Sequence, residues 1–406
     1  MAKRTASVLG GVALTMVAAL GVTQPVTTVQ LAALIIGASS TNPSGDGVED
    51  FYGGLYQQGP GETVVANFFT GPPGIYRAIY DNRDDDDNVV LSSGWGAANT
   101  SLLLSYLKAT NDPVLADPNL YVLDNNVASP NGGFGTRLPA FAVIGVNPIP
   151  TPTDPGVPVV NVVYEYDINS NIPAYLWNAP AMANSLMAYF ERRLNQESLD
   201  FPIDADGQVR DCDAACEATL DSGGTIERTM ADGQTVRISR VDDTTYVGYE
   251  STNLPLVAPL RAFGEPGNRL ADAMTPALRA AVDYGYPDND PLANPDKYVS
   301  ARLVPTRQET ERFVDEFRAG IDEGVEILRG DDESSTVTRP LVRKSLDFSP
   351  KPSRDSKPRR PGAGMVESVV EGVRKLAKRI HDKSVAPAEP DSEPDEPSDN
   401  AETSED

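Results

Sequence analysis

Histidine is all but missing from this chain: among 406 residues the only one is His381. It stands in a charged C-terminal stretch, so a catalytic scheme that needs an imidazole base inside the folded part has no residue to use. Cysteine is almost as scarce, with Cys212 and Cys216 alone. Two thiols and no nearby histidine fall short of the four Cys or His ligands of an ordinary zinc cage. Basic residues are few against acidic ones, 34 to 59, for a formal net charge of -25. That balance argues against nucleic acid as a partner, because phosphate would be repelled over most of the surface. Long apolar runs are absent beyond the N-terminus, so no later stretch could span a bilayer.

What is present begins with an export signal. Lys3 and Arg4 precede an apolar run from Ala6 to Val22, and Ala19-Leu20-Gly21 supplies small residues of the kind a signal peptidase reads. The run sits at the lower length limit for a membrane anchor, so residues 1–26 read as a signal peptide or an N-terminal anchor. In an exported chain Cys212 and Cys216 suggest a small local disulfide. Asp211, Asp213 and Glu217 nearby keep a metal site as the alternative. No cofactor motif is found, and the expectation is neither cofactor nor metal.

Short near-continuous apolar runs mark buried strands at Thr27–Gly37, Val89–Ser93, Leu120–Leu123 and Val159–Tyr166. Helical periodicity falls between them: Val48–Tyr56 opens one helix, and Ala97–Thr110 carries Leu102, Leu103, Leu104 and Leu107. Residues 176–198 and Gln308–Leu328 read as further helices, and Leu254–Tyr286 as helical in pieces. Strands alternating with helices imply an α/β domain with a mainly parallel sheet. Ligands then collect at the carboxyl ends of the strands, where Gly37–Ser40, Gly94–Gly96 and Asp167 would meet. Residues 200–250, rich in Gly and Asp turns, read as a small β-containing insertion or lid.

Past residue 335 the folded domain is expected to end. Residues 336–364 form a basic Pro/Ser-rich linker. Within 365–383, Val366, Val369, Val370, Val373, Leu376, Ala377 and Ile380 recur at three- and four-residue steps beside Arg374, Lys375, Lys378 and Arg379. This is a basic amphipathic helix suited to a membrane surface or a partner. The acidic residues 384–406 have the composition of a disordered tail.

From the first strand to about residue 350 the chain resembles the PE-PPE domain, an exported α/β-hydrolase-like (cutinase-like) module. The resemblance rests on ordered signposts: Leu34-Ile-Ile-Gly-Ala-Ser-Ser40, the strand–turn–helix at 89–104, and Ser129-Pro-Asn-Gly-Gly-Phe134. Tyr164-Glu-Tyr-Asp167, Thr252-Asn-Leu-Pro-Leu256, Val282-Asp-Tyr-Gly-Tyr286 and Arg339-Pro-Leu-Val-Arg343 follow. It implies a domain over residues 27–335, in the stand-alone form without a helical PE or PPE module. It also implies a secreted or cell-envelope location and serine esterase or acyltransferase chemistry on lipid esters. Such chemistry needs a serine on a sharp strand-to-helix turn, a histidine and an acid. Here the resemblance sets Gly96 at the nucleophile position, Asp167 at the acid and Arg192–Arg193 in the helix where the histidine belongs. Gly37, Ala38 and Ala97 become the oxyanion-loop candidates. The expectation is an inert relative that binds a lipid, an acyl ester or a partner. The alternative is an active esterase using Ser92 or Ser93.

Overall fold

The structure, a computed structural model, describes residues 33–57, 62–83, 88–117, 119–287, 290–292 and 294–330. The segments 1–26, 336–364, 365–383 and 384–406 lie outside the described residues. Eight strands form one sheet in the order β2-β1-β3-β4-β5-β8-β7-β6. In chain order, β1 is Ala33–Gly37, followed by a single turn, α1 (Phe51–Gly54). Next come β2 (Glu62–Ala66), α2 (Gly71–Asp81), β3 (Val89–Ser93), α3 (Trp95–Thr110) and β4 (Leu120–Asp124). A short α4 (Phe134–Arg137), β5 (Val159–Tyr164) and α5 (Ala179–Asn195) complete the first half.

The second half runs α6 (Ala214–Asp221), β6 (Thr225–Thr229), β7 (Thr235–Val241) and β8 (Thr244–Tyr249). Three helices end it: α7 (Ala258–Arg261), α8 (Glu265–Asp283) and α9 (Arg307–Arg329). The six neighbours β2-β1-β3-β4-β5-β8 pair in parallel, whereas β7 and β6 add to the same sheet antiparallel. Residues 225–249 are therefore part of the main sheet and not a separate lid. β8 lies between β5 and β7 and is buried along its whole length, with Val247 and Tyr249 in one core cluster and Tyr246 in another.

The central strands are buried on both sides, which explains their unbroken apolar runs. On one face Ile35, Val90 and Tyr121 pack under α2 and α3. On the other, Ile36, Leu91, Val122 and Val162 meet Phe51, Tyr52, Phe201 and Ile203. Burying each such aliphatic side chain stabilises the fold by roughly 1.5–3 kcal/mol. β2, the edge strand beside β1, escaped sequence reading because it is largely exposed and carries little apolar signal. α9 packs along α8 through Phe317, Ile321 and Val325. Its start is fixed by a capping box, with Thr306 accepting from the Glu309 N–H and Glu309 accepting from the Thr306 N–H.

Candidate functional site at the carboxyl end of the sheet

The turn from β3 into α3 is the sharpest feature at this end of the sheet. Ser93 ends the strand, Trp95 begins the helix, and the single residue between them, Gly94, has φ 59° and ψ -118°. Side chains other than glycine rarely take this conformation, and a hydrolase holds its nucleophile on such a strained strand-to-helix apex. A Cβ added at Gly94 would approach only Asn169 Nδ2, at 3.3 Å. At Gly96 a Cβ would lie 2.2 Å from the Gly37 carbonyl oxygen and 2.6 Å from that of Ala38. Position 96 is thus a close packing contact between α3 and the end of β1, with no space for any side chain. The apex is Gly94, two residues before the position given by the sequence resemblance. Ser92-Ser93-Gly94-Trp95-Gly96 then reads small-x-apex-x-small, with Gly96 as the second small residue.

Neither neighbouring serine stands at the apex. Ser92 is fully buried on the α3 side of the sheet, its Oγ 2.7 Å from Thr100 Oγ1. Ser93 points to the opposite face and donates to Asp124 Oδ2 at 2.7 Å. Of the oxyanion-loop candidates, only Ala38 has its N–H engaged in a backbone hydrogen bond outside the regular elements. Gly37 abuts the Ser92 side chain, the Ala38 N–H donates to Ala66 O at 3.1 Å, and Ala97 is enclosed in the first turn of α3. With the apex at 94, the N–H following it belongs to Trp95.

Below the apex lies a closed polar cluster built on Asp124, which sequence reading left out. It ends β4 directly beside Ser93 in the parallel register, and its side chain is completely buried. Tyr52 and Tyr164 each donate a hydroxyl to Oδ1 at 2.8 Å. Ser93 and Gln196 donate to Oδ2, and Arg192 Nη1 lies 3.4 Å from it. Burial, followed by the Asp124 charge, pushes both tyrosine hydroxyls far above their ordinary range. Tyr52 reaches the carboxylate from a left-handed backbone (φ 58°) and stacks on Phe201. A carboxylate at the carboxyl end of a buried parallel strand was a visible signal for Asp124; the partnership with Tyr52, remote in sequence, was not.

Asp167 is the second acid of the cluster. Its Oδ1 accepts the Asn169 N–H at 2.8 Å and its Oδ2 accepts Arg192 Nε at 3.0 Å. Burial raises its pKa, while Arg192 and the Asn169 N–H act in the opposite direction. Arg192, from the inner side of α5, bridges the two carboxylates and lies 4.5 Å over the Tyr164 ring. Burial opposes its charge, but Asp124 and Asp167 outweigh that and hold it fully protonated. A guanidinium pinned in this way cannot take a proton from a hydroxyl. The site therefore combines a hydrolase-like turn carrying glycine at its apex with two buried carboxylates, both paired to Arg192.

Two openings lie near this end. A cleft of about 310 Å3 lies between α5 and the β7–β8 end, lined by Tyr164, Arg192, Tyr249 and Glu250. A second, of about 740 Å3, lies between the loop after β5 and α8–α9. Gly94 lines neither of them. Cys212 and Cys216 are joined in a disulfide and so cannot ligate a metal. Among the described residues no three His, Cys, Asp or Glu side chains converge as a metal site, and no helix is long and apolar enough to cross a membrane.

The surface around the turn is apolar. Trp95 and Phe134 pack with Ala98, Val127 and Val146. Phe68 lies 6.3 Å from Trp95 on one side, and Phe141 lies 5.0 Å from Phe134 on the other. Phe141 belongs to the 3-10 segment Pro139–Ile144, a run of six apolar residues in which every one is exposed. Val143 is 89% exposed and Ile144 62%.

A mainly parallel sheet with a hydrolase-type strand–turn–helix defines the class as an α/β-hydrolase-like domain. A PE-PPE domain profile matches residues 74–205 and 222–287, and the chain belongs to the PE-PPE domain family. It is 27% identical over 285 residues to "Uncharacterized PPE family protein PPE28" of Mycobacterium tuberculosis (strain ATCC 25618 / H37Rv), covering 64% of this chain and 40% of that protein. It is 29% identical over 209 residues to "Uncharacterized PPE family protein PPE42" of Mycobacterium tuberculosis (strain CDC 1551 / Oshkosh), covering 49% and 30%. The chain thus spans less than half the length of these curated relatives. No solved structure matches it significantly.

Proposed function

We propose that this chain is an exported cell-envelope PE-PPE domain protein that has the serine-hydrolase scaffold without its catalysis and binds a lipid or acyl ester. The observation that carries the reading is Gly94 at the apex of the turn, above a cluster whose only strong cation is the doubly paired Arg192. Covalent acyl transfer needs an oxygen at that apex and a base beside it; glycine supplies no oxygen, and a paired guanidinium supplies no base. The export part rests on Lys3, Arg4 and the apolar run to Val22.

Lipid binding is supported by residues 139–144 beside the turn, all apolar and all exposed, Val143 and Ile144 most of all. Exposed apolar surface of this kind marks a contact with lipid or protein. The test is co-sedimentation of the protein with vesicles carrying long-chain acyl esters, alongside an assay for fatty-acid release. Binding without release is expected, and the double substitution Val143→Asp, Ile144→Asp should weaken binding at least tenfold without moving the melting temperature. Fatty-acid release by the wild-type protein, or binding unaffected by that pair of substitutions, would contradict the reading.

Ser93 keeps the active-esterase alternative in view, because its Oγ already contacts a carboxylate. Against that alternative, Ser93 lies on a sheet face, 5% exposed, and Asp124 has four other donors.

A further inference from the structure

α5 is amphipathic in the reverse sense. Its inner side buries Ala181, Asn184, Ser185, Ala188 and Arg192, while Leu186, Phe190 and Leu194 stand 44%, 43% and 46% exposed. These three residues, spaced i, i+4 and i+8, form a continuous apolar ridge over two turns. This is the row that another helix packs against. No described element covers it.

We propose that this ridge is the docking site for the chain's own residues 365–383, which lie outside the described residues. Three observations favour this occupant. The spacing of Val366, Val369, Val370, Val373, Leu376 and Ile380 gives a helical apolar face. Its 19 residues would span about 28 Å at 1.5 Å per residue, against about 26 Å for the 17 residues of α5. Charge is the second. Residues 33–330 hold 42 Asp and Glu against 19 Lys and Arg, whereas residues 339–383 hold 13 Lys and Arg against five acids. An anionic bilayer would attract the basic segment but repel the acidic body that carries the ridge; the body itself attracts it.

Reach is the third observation. The described chain leaves α9 at Gly330, where Arg269 of α8 holds the last carbonyls, and α8 packs against α5. Residues 331–364 number 34, and a chain of that length spans roughly 30 Å without stretching. That exceeds the roughly 19 Å radius of gyration of a domain of this size. A tether of this kind holds its ends together at an effective concentration on the order of millimolar.

The test places the photoreactive residue p-benzoylphenylalanine at the exposed position 190 of the full chain and maps crosslinks by mass spectrometry. The expected product is an intrachain adduct to residues 365–383 whose yield does not depend on protein concentration. The added pair Val370→Asp, Val373→Asp should cut that yield at least fivefold while leaving the melting temperature unchanged. Adducts to a second copy that grow with concentration would overturn the proposal. So would adducts only to phosphatidylglycerol vesicles when these are added, or no adduct to the segment at all.

Discussion

α5 and α9 are helices of similar length that solve opposite problems. α9 buries Phe317, Ile321 and Val325, exposes its charges and begins with a capping box, as a helix chosen for stability would. α5 buries an arginine, an asparagine and a serine, and turns Leu186, Phe190 and Leu194 outward. The inner side of α5 answers to the cluster under the turn rather than to packing. In a family whose resemblance implies a catalytic histidine on this helix, the residue found there is a guanidinium locked between two carboxylates. The difference separates a helix set by packing from one whose inner side is set by the buried Asp124–Arg192–Asp167 cluster.

The sharpest way to break the comparison is Arg192→Met. It would leave Asp124 and Asp167 buried without their shared cation, a change that costs about 3–5 kcal/mol. A melting temperature lower by roughly 10 °C is expected, at about 2–4 °C per kcal/mol for a domain of this order of size. An unchanged melt would mean that the buried ion pairs do not hold α5 in place. Next is Gly96→Ser on α3, whose Cβ would collide with backbone at 2.2 Å. The loss should reach or exceed the upper end of the usual ~1–3 kcal/mol for overpacking. A melt matching wild type would return the apex to position 96.

The smallest effects belong to α9. Thr306→Ala removes the cap and should cost about 1 kcal/mol by chemical denaturation at neutral pH. Its partner Glu309 gives this end a pH signature. Burial pushes its carboxyl up, but the Thr306 N–H, the Tyr175 hydroxyl and Arg302 outweigh that and hold it down to about 2. A carboxylate lowered in the folded state contributes stability above its unfolded value near 4.5 and loses it as pH falls toward 2. The stability gap between wild type and Glu309→Gln should therefore be constant from pH 7 to 5 and close between pH 4.5 and 2. A gap that widened on acidification would contradict the assignment.

The strands of the sheet interior were legible because both their faces are buried, so Val89–Leu91, Leu120–Leu123 and Val159–Val163 appear as apolar runs. Strand β6 alternates exposed and half-buried residues, and that pattern suggested a separate β element where the sheet simply continues. The turn was legible as Gly94-Trp95-Gly96, but two glycines two residues apart do not tell which one carries the positive φ. Only the backbone separates the apex at 94 from the packing contact at 96. The ring of donors around Asp124 comes from residues 52, 93, 164, 192 and 196, and no local pattern links them.

The central claim, that the turn holds no reactive oxygen, is tested most directly by incubating the purified protein with a fluorophosphonate probe and weighing it intact. The account predicts an unchanged mass after prolonged exposure at neutral pH. A stoichiometric adduct mapped to Ser92 or Ser93 would contradict it.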